Sequence, residues 1–231
     1  MALAEVKKIE GHAGHFKVSV LRKPRYINED LCTNCGQCGL DCTVAVPDPY
    51  NECMSETKAI HIHFAQAIPA APYIDPTKCV FLTGGVCFIC TTSCQRKAID
   101  LGQREQLLEL DVGALILSPG FSTFDPAHVS AYRYTYSPNV VTGKEFERIC
   151  CASGPYMGKI LRPSDQKRPD RIAFIQCVGS RDRASGNPYC SSVCCKYAVK
   201  DAIVALEHEP DLDITIFFMD MRMYGKGFET F

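Results

Sequence analysis

Apolar and polar side chains alternate most clearly near the start of the chain, where Phe16, Val18 and Val20 are separated by polar neighbours. With the arm at residues 6–10 and the glycine turn Gly11-His-Ala-Gly14 between them, residues 15–21 complete a predicted β-hairpin. Residues 107–117 read as two further strands joined by a turn at 111–113. The second is apolar at successive positions, as in a buried strand, and delivers a glycine turn at Ser118-Pro-Gly120. Pro126, Pro138, Pro155, Pro163 and Pro169 then break residues 122–170 into irregular chain. One helix is predicted there, near 142–152, with Thr142 as cap and Glu145 completing a capping box. The final stretch has a βαβ pattern: an apolar strand at 171–178, helical spacing over 189–207 (Val193, Tyr197, Ile203, Leu206), and a second strand at 213–219.

Between the hairpin and this scaffold the chain repeats itself. Tyr26-Ile-Asn-Glu-Asp-Leu-Cys32 is echoed by Tyr73-Ile-Asp-Pro-Thr-Lys-Cys79, and Lys58-Ala-Ile-His-Ile62 by Lys97-Ala-Ile-Asp-Leu101. C-x2-C and C-x3-C steps fall between these ends in the same order in both copies. The second copy has x7 in place of x2 after its first cysteine. The first has a longer return, residues 43–57, rich in Pro, Asp and Asn and therefore read as a loop. Two copies of strand, cysteine loop, short helix and strand predict a domain with internal pseudo-twofold symmetry.

Composition narrows the class. The chain has 231 residues, 46% hydrophobic and 22% charged, with a formal net charge of −1. That is ordinary for a globular protein and offers no basic field for nucleic acid. No apolar run approaches a membrane span, and residues 1–11 lack the sections of a secretory signal. Fifteen cysteines without an export signal point to metal or redox chemistry in a reducing compartment, so a cytoplasmic location is expected.

Eight of the cysteines form two runs, Cys32-x2-Cys35-x2-Cys38-x3-Cys42 and Cys79-x7-Cys87-x2-Cys90-x3-Cys94. The first has the bacterial ferredoxin spacing, in which three thiolates hold one [4Fe–4S] cube and the fourth reaches a second cube. By that logic Cys32, Cys35, Cys38 and Cys94 are assigned to cluster 1, and Cys79, Cys87, Cys90 and Cys42 to cluster 2. Zinc is the competing metal, although its four-cysteine sites usually draw on two separated C-x2-C knuckles. Thr43 and Gln95 stand where ferredoxins usually place proline after the fourth cysteine.

Cys177, Cys190, Cys194 and Cys195 are candidates for a third site, near one strand end and one helix N-terminus whose dipole favours thiolates. They stand where a nucleotide-binding scaffold would carry G-x-G-x-x-G, so NAD is not expected. The alternative for these four is a set of buried small hydrophobes plus a reactive thiol. Cys53, Cys150 and Cys151 read as structural, and His63 as solvent-facing.

Taken together, these motifs resemble the family of heterodisulfide reductase A subunits. The resemblance rests on Lys23-Pro-Arg-Tyr26, Ala114-Leu-Ile-Leu-Ser-Pro-Gly-Phe121, Arg162-Pro-Ser-Asp165, Ile175-Gln-Cys-Val-Gly-Ser-Arg-Asp182, Asn187-Pro-Tyr-Cys-Ser-Ser-Val-Cys-Cys195 and Gly225-Lys-Gly-Phe-Glu229. It implies an FAD-containing electron-transfer protein of mixed α+β and α/β class. It implies as well a duplicated two-[4Fe–4S] ferredoxin-like domain inserted in a partial thioredoxin-reductase-like, Rossmann-like scaffold. The expected layout is a scaffold hairpin at 1–25 and a ferredoxin domain at 26–104, with repeats near 23–52 and 70–104. Scaffold strands follow at 105–125, an irregular connection at 126–170, and the Rossmann-like βαβ with its cysteines at 171–231.

Gly120 is the candidate FAD contact, in Ser-Pro-Gly where the family usually has Ala-Thr-Gly. The family's amino-terminal FAD fingerprint lies upstream of residue 1, which implies an excised piece, a truncated product or one half of a split subunit. FAD binding by this chain alone is therefore not expected. The implied partners are the B and C subunits of heterodisulfide reductase, a hydrogenase or formate dehydrogenase input module, and a separate chain supplying the FAD fold. The alternative is a stand-alone ferredoxin-like carrier or docking scaffold without flavin.

Overall fold

A computed structural model describes residues 1–230. The chain divides into two compact units, Met1–Gly120 and Phe121–Phe231.

In the first unit, β1 (Ala4–His12) and β2 (His15–Arg22) form the predicted hairpin. Its turn requires glycine at position 11, where φ is +97° and a Cβ would collide with the His15 carbonyl. Val18 and Val20 point inward and are buried, as the alternation predicted. Two five-residue helices, α1 (Gln37–Asp41) and α2 (Ile89–Ser93), each end at the last cysteine of their run. Between them lie β3 (Ala45–Pro47), β4 (Glu56–Lys58), β5 (Ile60–His61) and β6 (Tyr73–Ile74). β3 pairs with β4, and β5 with β6. β7 (Gln106–Val112) then returns antiparallel to β2, giving a sheet of order β1-β2-β7.

The repeat folds by exchanging its ends. Ile27, at the start of the first copy, bridges Ile99 at the end of the second, and Ile60, at the end of the first, pairs with Ile74 at the start of the second. The bonds match: the Asn28 N–H donates to Ala98 O at 2.7 Å and the Asp75 N–H to Ala59 O at 2.8 Å. Ile27, Ile60, Ile74 and Ala98 form the buried core, with Cys32, Cys38, Cys42, Cys79, Cys90 and Cys94 packed against it.

The second strand expected at 114–117 does not form. β7 ends at Val112, and Ile116 and Leu117 are 93% and 79% exposed. An apolar run needs a bonding edge and cover on both faces, and among the described residues no strand pairs with it.

In the second unit, α3 (Gly143–Cys150) begins at the predicted capping box. The Glu145 N–H donates to Thr142 Oγ1 at 3.2 Å, and the Thr142 N–H returns to Glu145 Oε2 at 2.5 Å. The βαβ pattern appears as β8 (Arg171–Ile175), α4 (Cys194–His208) and β9 (Asp213–Phe217), with the two strands parallel. α4 starts five residues later than the periodicity predicted because Ser192 holds a left-handed φ of +63°, which a helix cannot continue through. Ala198, Ala202 and Ala205 form a small-residue stripe on α4 within a core shared with Phe146, Cys150, Ile160, Phe174 and Leu212. Phe146 meets Phe174 edge to face at 5.3 Å.

Candidate metal centre

Exchange of the repeat ends sets the cysteine loop of each copy beside the return of the other. α1 and α2 pack together, and thiols of the two runs come near one another at two places. In one, Cys38 on α1 faces Cys32 and Cys35 of its own run and Cys94 at the end of α2. Burial pushes the Cys38 thiol up to about 11, and repulsion from those three sulfurs adds to the effect. In the other, Cys79, Cys87 and Cys90 line a recess together with Cys42 from the first run. Burial raises the Cys90 thiol to about 11, with Cys79, Cys38 and Cys87 facing it. Cys38 acts on Cys90 as well, so the two groups are neighbours.

Backbone donors already reach the sulfurs. The Asn34 N–H lies 3.5 Å from Cys32 Sγ, and the Ala98 N–H 3.3 Å from Cys94 Sγ. Val44, Ile60, Ile74, Ile89 and Leu101 wall the recess and no charged side chain lines it. Among the described residues, no three His, Cys, Asp or Glu close on one point as a single bound ion would require. Four of the sulfurs, those of Cys42, Cys79, Cys87 and Cys90, line the recess. These donors suit metal–sulfur groups: soft sulfur ligands at both places, apolar walls around Cys42, Cys79, Cys87 and Cys90, and N–H groups aimed at Cys32 and Cys94.

A third group lies at the C-terminal ends of β8 and β9. Cys177 follows β8 with a φ of +61°, and Cys194 and Cys195 are buried in the first turn of α4. Burial raises the Cys195 thiol, with Cys194 and Cys177 facing it. Cys190 accepts the Ser192 N–H at 3.3 Å. The side-chain oxygen of Gln176, next to Cys177, is buried without a hydrogen-bond partner. Tyr197 lies one turn along α4, its hydroxyl pushed up to about 12 by burial and by Cys194, Asp201, Cys195 and Cys177.

The remaining candidates separate from these groups. Gly120 has a φ of +76° and open space where a Cβ would stand. Cys53 is exposed, whereas Cys150 belongs to the core of its unit. Cys151 holds a lowered thiol pKa, chiefly through hydrogen bonding to Ser153. His63 is exposed and tilted against the Tyr73 ring at 4.9 Å. Sequence reasoning missed Arg222, whose backbone N–H donates to Cys195 Sγ at 3.5 Å. Its signal was positional: it follows the second strand of a parallel pair, at the edge where such sheets hold ligands.

No family model matches the chain. Individual proteins do, over nearly its full length. It is 44% identical over 228 residues to the A subunit of the H2:CoB–CoM heterodisulfide, ferredoxin reductase of Methanothermobacter thermautotrophicus, an alignment covering 99% of this chain and 34% of that protein. The iron–sulfur A subunit of the CoB–CoM heterodisulfide reductase of Methanocaldococcus jannaschii is 40% identical, again over 99% of this chain and 34% of that protein. The A subunit of the ferredoxin/F420H2-dependent CoB–CoM heterodisulfide reductase of Methanosarcina acetivorans is 38% identical, over 99% and 28%. The chain thus spans about a third of the length of these relatives.

Proposed function

We propose that this chain, which belongs to the family of heterodisulfide reductase A subunits over the third of those proteins that it spans, is an iron–sulfur electron-relay segment of such an oxidoreductase. The observation that carries this reading is the crossing of the two cysteine runs. Cys42 joins Cys79, Cys87 and Cys90 around one recess, while Cys94 faces Cys38 beside Cys32 and Cys35. Four cysteines per group, drawn three and one from two repeats, is the ligand set expected for two adjacent [4Fe–4S] cubes. Such cubes, when bound, supply reversible one-electron transfer at closely spaced points. The chain's own part is to hold the thiolates, to screen the sulfurs from water with Ile60, Ile74 and Leu101, and to aim backbone N–H groups at them. On this reading residues 26–104 are a duplicated ferredoxin-like domain, and 171–231 a Rossmann-like element carrying a third centre on Cys177, Cys190, Cys194 and Cys195. Gly120 is the position offered to a flavin held chiefly by another polypeptide. The proposed partners are B- and C-type subunits and an input module drawing on hydrogen, formate, ferredoxin or reduced F420, as the relatives' names suggest.

Anaerobic reconstitution of the full chain tests this. Iron and acid-labile sulfide should appear together, and Cys35→Ser and Cys94→Ser should abolish the same electron paramagnetic resonance signal. Zinc without labile sulfide would end the cluster reading. Loss in Cys94→Ser of the signal that Cys90→Ser removes would end the crossed assignment.

A further inference from the structure

Because β8 and β9 are parallel, the loops that leave their C-terminal ends emerge at one edge of the sheet. Cys177 follows β8 there, and Arg222 follows β9. Arg222 reaches the cysteine group through its backbone N–H, which donates to Cys195 Sγ at 3.5 Å, and its guanidinium pKa is raised first by Tyr224 and, to a lesser degree, by the thiols of Cys190 and Cys177. The side chain is held in place. Its Nε donates to Asp220 Oδ2 at 2.8 Å and its Nη1 to the Tyr224 hydroxyl at 3.3 Å. Asp220 also pairs with Arg181, which belongs to the loop between Cys177 and Cys190. That loop is tied across itself by the Asp182–Asn187 bridge and by Asn187 Nδ2 donating to Gly179 O at 3.0 Å. Two guanidiniums therefore share one carboxylate, and this trio keeps a net positive charge beside four cysteines.

We propose that Arg222 is a positioning residue that tunes the redox centre held by Cys177, Cys190, Cys194 and Cys195, raising its reduction potential above what four thiolates alone would give. The proposal rests on the third-centre reading above. Its physical basis is charge. One electron from an external reductant adds one negative charge at the cysteine group, and a fixed cation and an N–H donor both favour that added charge. No proton is needed, since a guanidinium remains charged across the working range. Asp220 works in the opposite sense: it holds Arg222 in place but cancels part of its field, so the two residues should shift the potential in opposite directions. A merely structural role would not produce that opposition.

The experiment uses the anaerobically reconstituted full chain, potentiometric titration followed by electron paramagnetic resonance, and iron and sulfide analysis. Cys190→Ser should remove one cube's worth of iron and sulfide together with one signal. Arg222→Gln should keep the metal but move that signal's midpoint to lower potential, leaving the other signals in place, and Arg222→Lys should restore most of the shift. Asp220→Asn should move the same midpoint upward. If Cys190→Ser removes the signal but Arg222→Gln leaves its midpoint unchanged, the Arg222 proposal is overturned and the third centre stands. Unchanged iron in Cys190→Ser overturns both. Should Arg222→Gln lose the metal, Asp220→Asn decides: an upward shift supports the proposal, and no shift or a downward one overturns it.

Discussion

Burial acts on individual thiols according to their surroundings. Cys150 lies in an apolar core with Asp201 nearby, and its thiol is raised from 9.0 to about 12, chiefly by burial and then by that carboxylate. The folded chain therefore keeps a proton that the unfolded chain releases. The resulting stability is fully present below about pH 9 and is lost as pH climbs toward 12. Tyr197 acts in the same sense between 10.0 and about 12. Denaturant titrations of the metal-free chain should show stability falling from pH 9 upward. Cys150→Ala should have a lower baseline but a shallower alkaline decline, and Tyr197→Phe should flatten the decline above pH 10. A slope unchanged in both variants would mean that neither group carries it. The same burial makes exposure decide reactivity in the metal-free chain, where Cys35 and Cys53 should alkylate well before Cys150.

At the level of elements, α3 depends on its start. It is only eight residues long, too short to persist on propensity alone, and its first turn is fixed by the reciprocal Thr142–Glu145 bonds. Thr142→Ala should cost about 1 kcal/mol, read as a lowered denaturant midpoint at unchanged slope. This helix, the hairpin and the βαβ pattern were legible in the sequence because each is written in local signals: a capping box, period two around glycines, and apolar strands flanking a helical period. The internal repeat was legible because both copies open on Tyr-Ile, the Ile five residues before their first cysteine, keep the C-x2-C and C-x3-C steps in order, and close on Lys-Ala-Ile. Two features were not legible. Residues 114–117 carry the pattern of a buried strand, but a strand exists only where an edge pairs with it, and no local residue reports that. Arg222 lies far along the chain from Cys177, and only the parallel pairing of β8 with β9 brings them to one sheet edge.

For the molecule as a whole, the two units differ in what fills their centres. The second encloses a conventional core in which Phe146, Ile160, Phe174 and Leu212 pack around the alanine stripe of α4. The core under the two cysteine runs consists of Ile27, Ile60, Ile74 and Ala98, and the rest of its packing comes largely from the cysteines themselves. Strands of two residues and helices of five cannot hold such a structure by propensity. Where a core this small persists, crosslinks usually make up the difference, and metal binding energy becomes folding energy. The exchanged ends sharpen this: the Ile27–Ile99 and Ile60–Ile74 pairs are long-range, so whatever ties the two cysteine runs together also closes both pairs. Removing the proposed clusters from the reconstituted chain by chelation under oxidising conditions should therefore abolish amide-exchange protection at Asn28 and Asp75. Protection at Phe174 and along Ala198–Ala205 in the second core should fall much less. Retention of slow exchange at Asn28 and Asp75 in the metal-free chain would show that the four apolar residues suffice, and that the metal is held by a fold already formed.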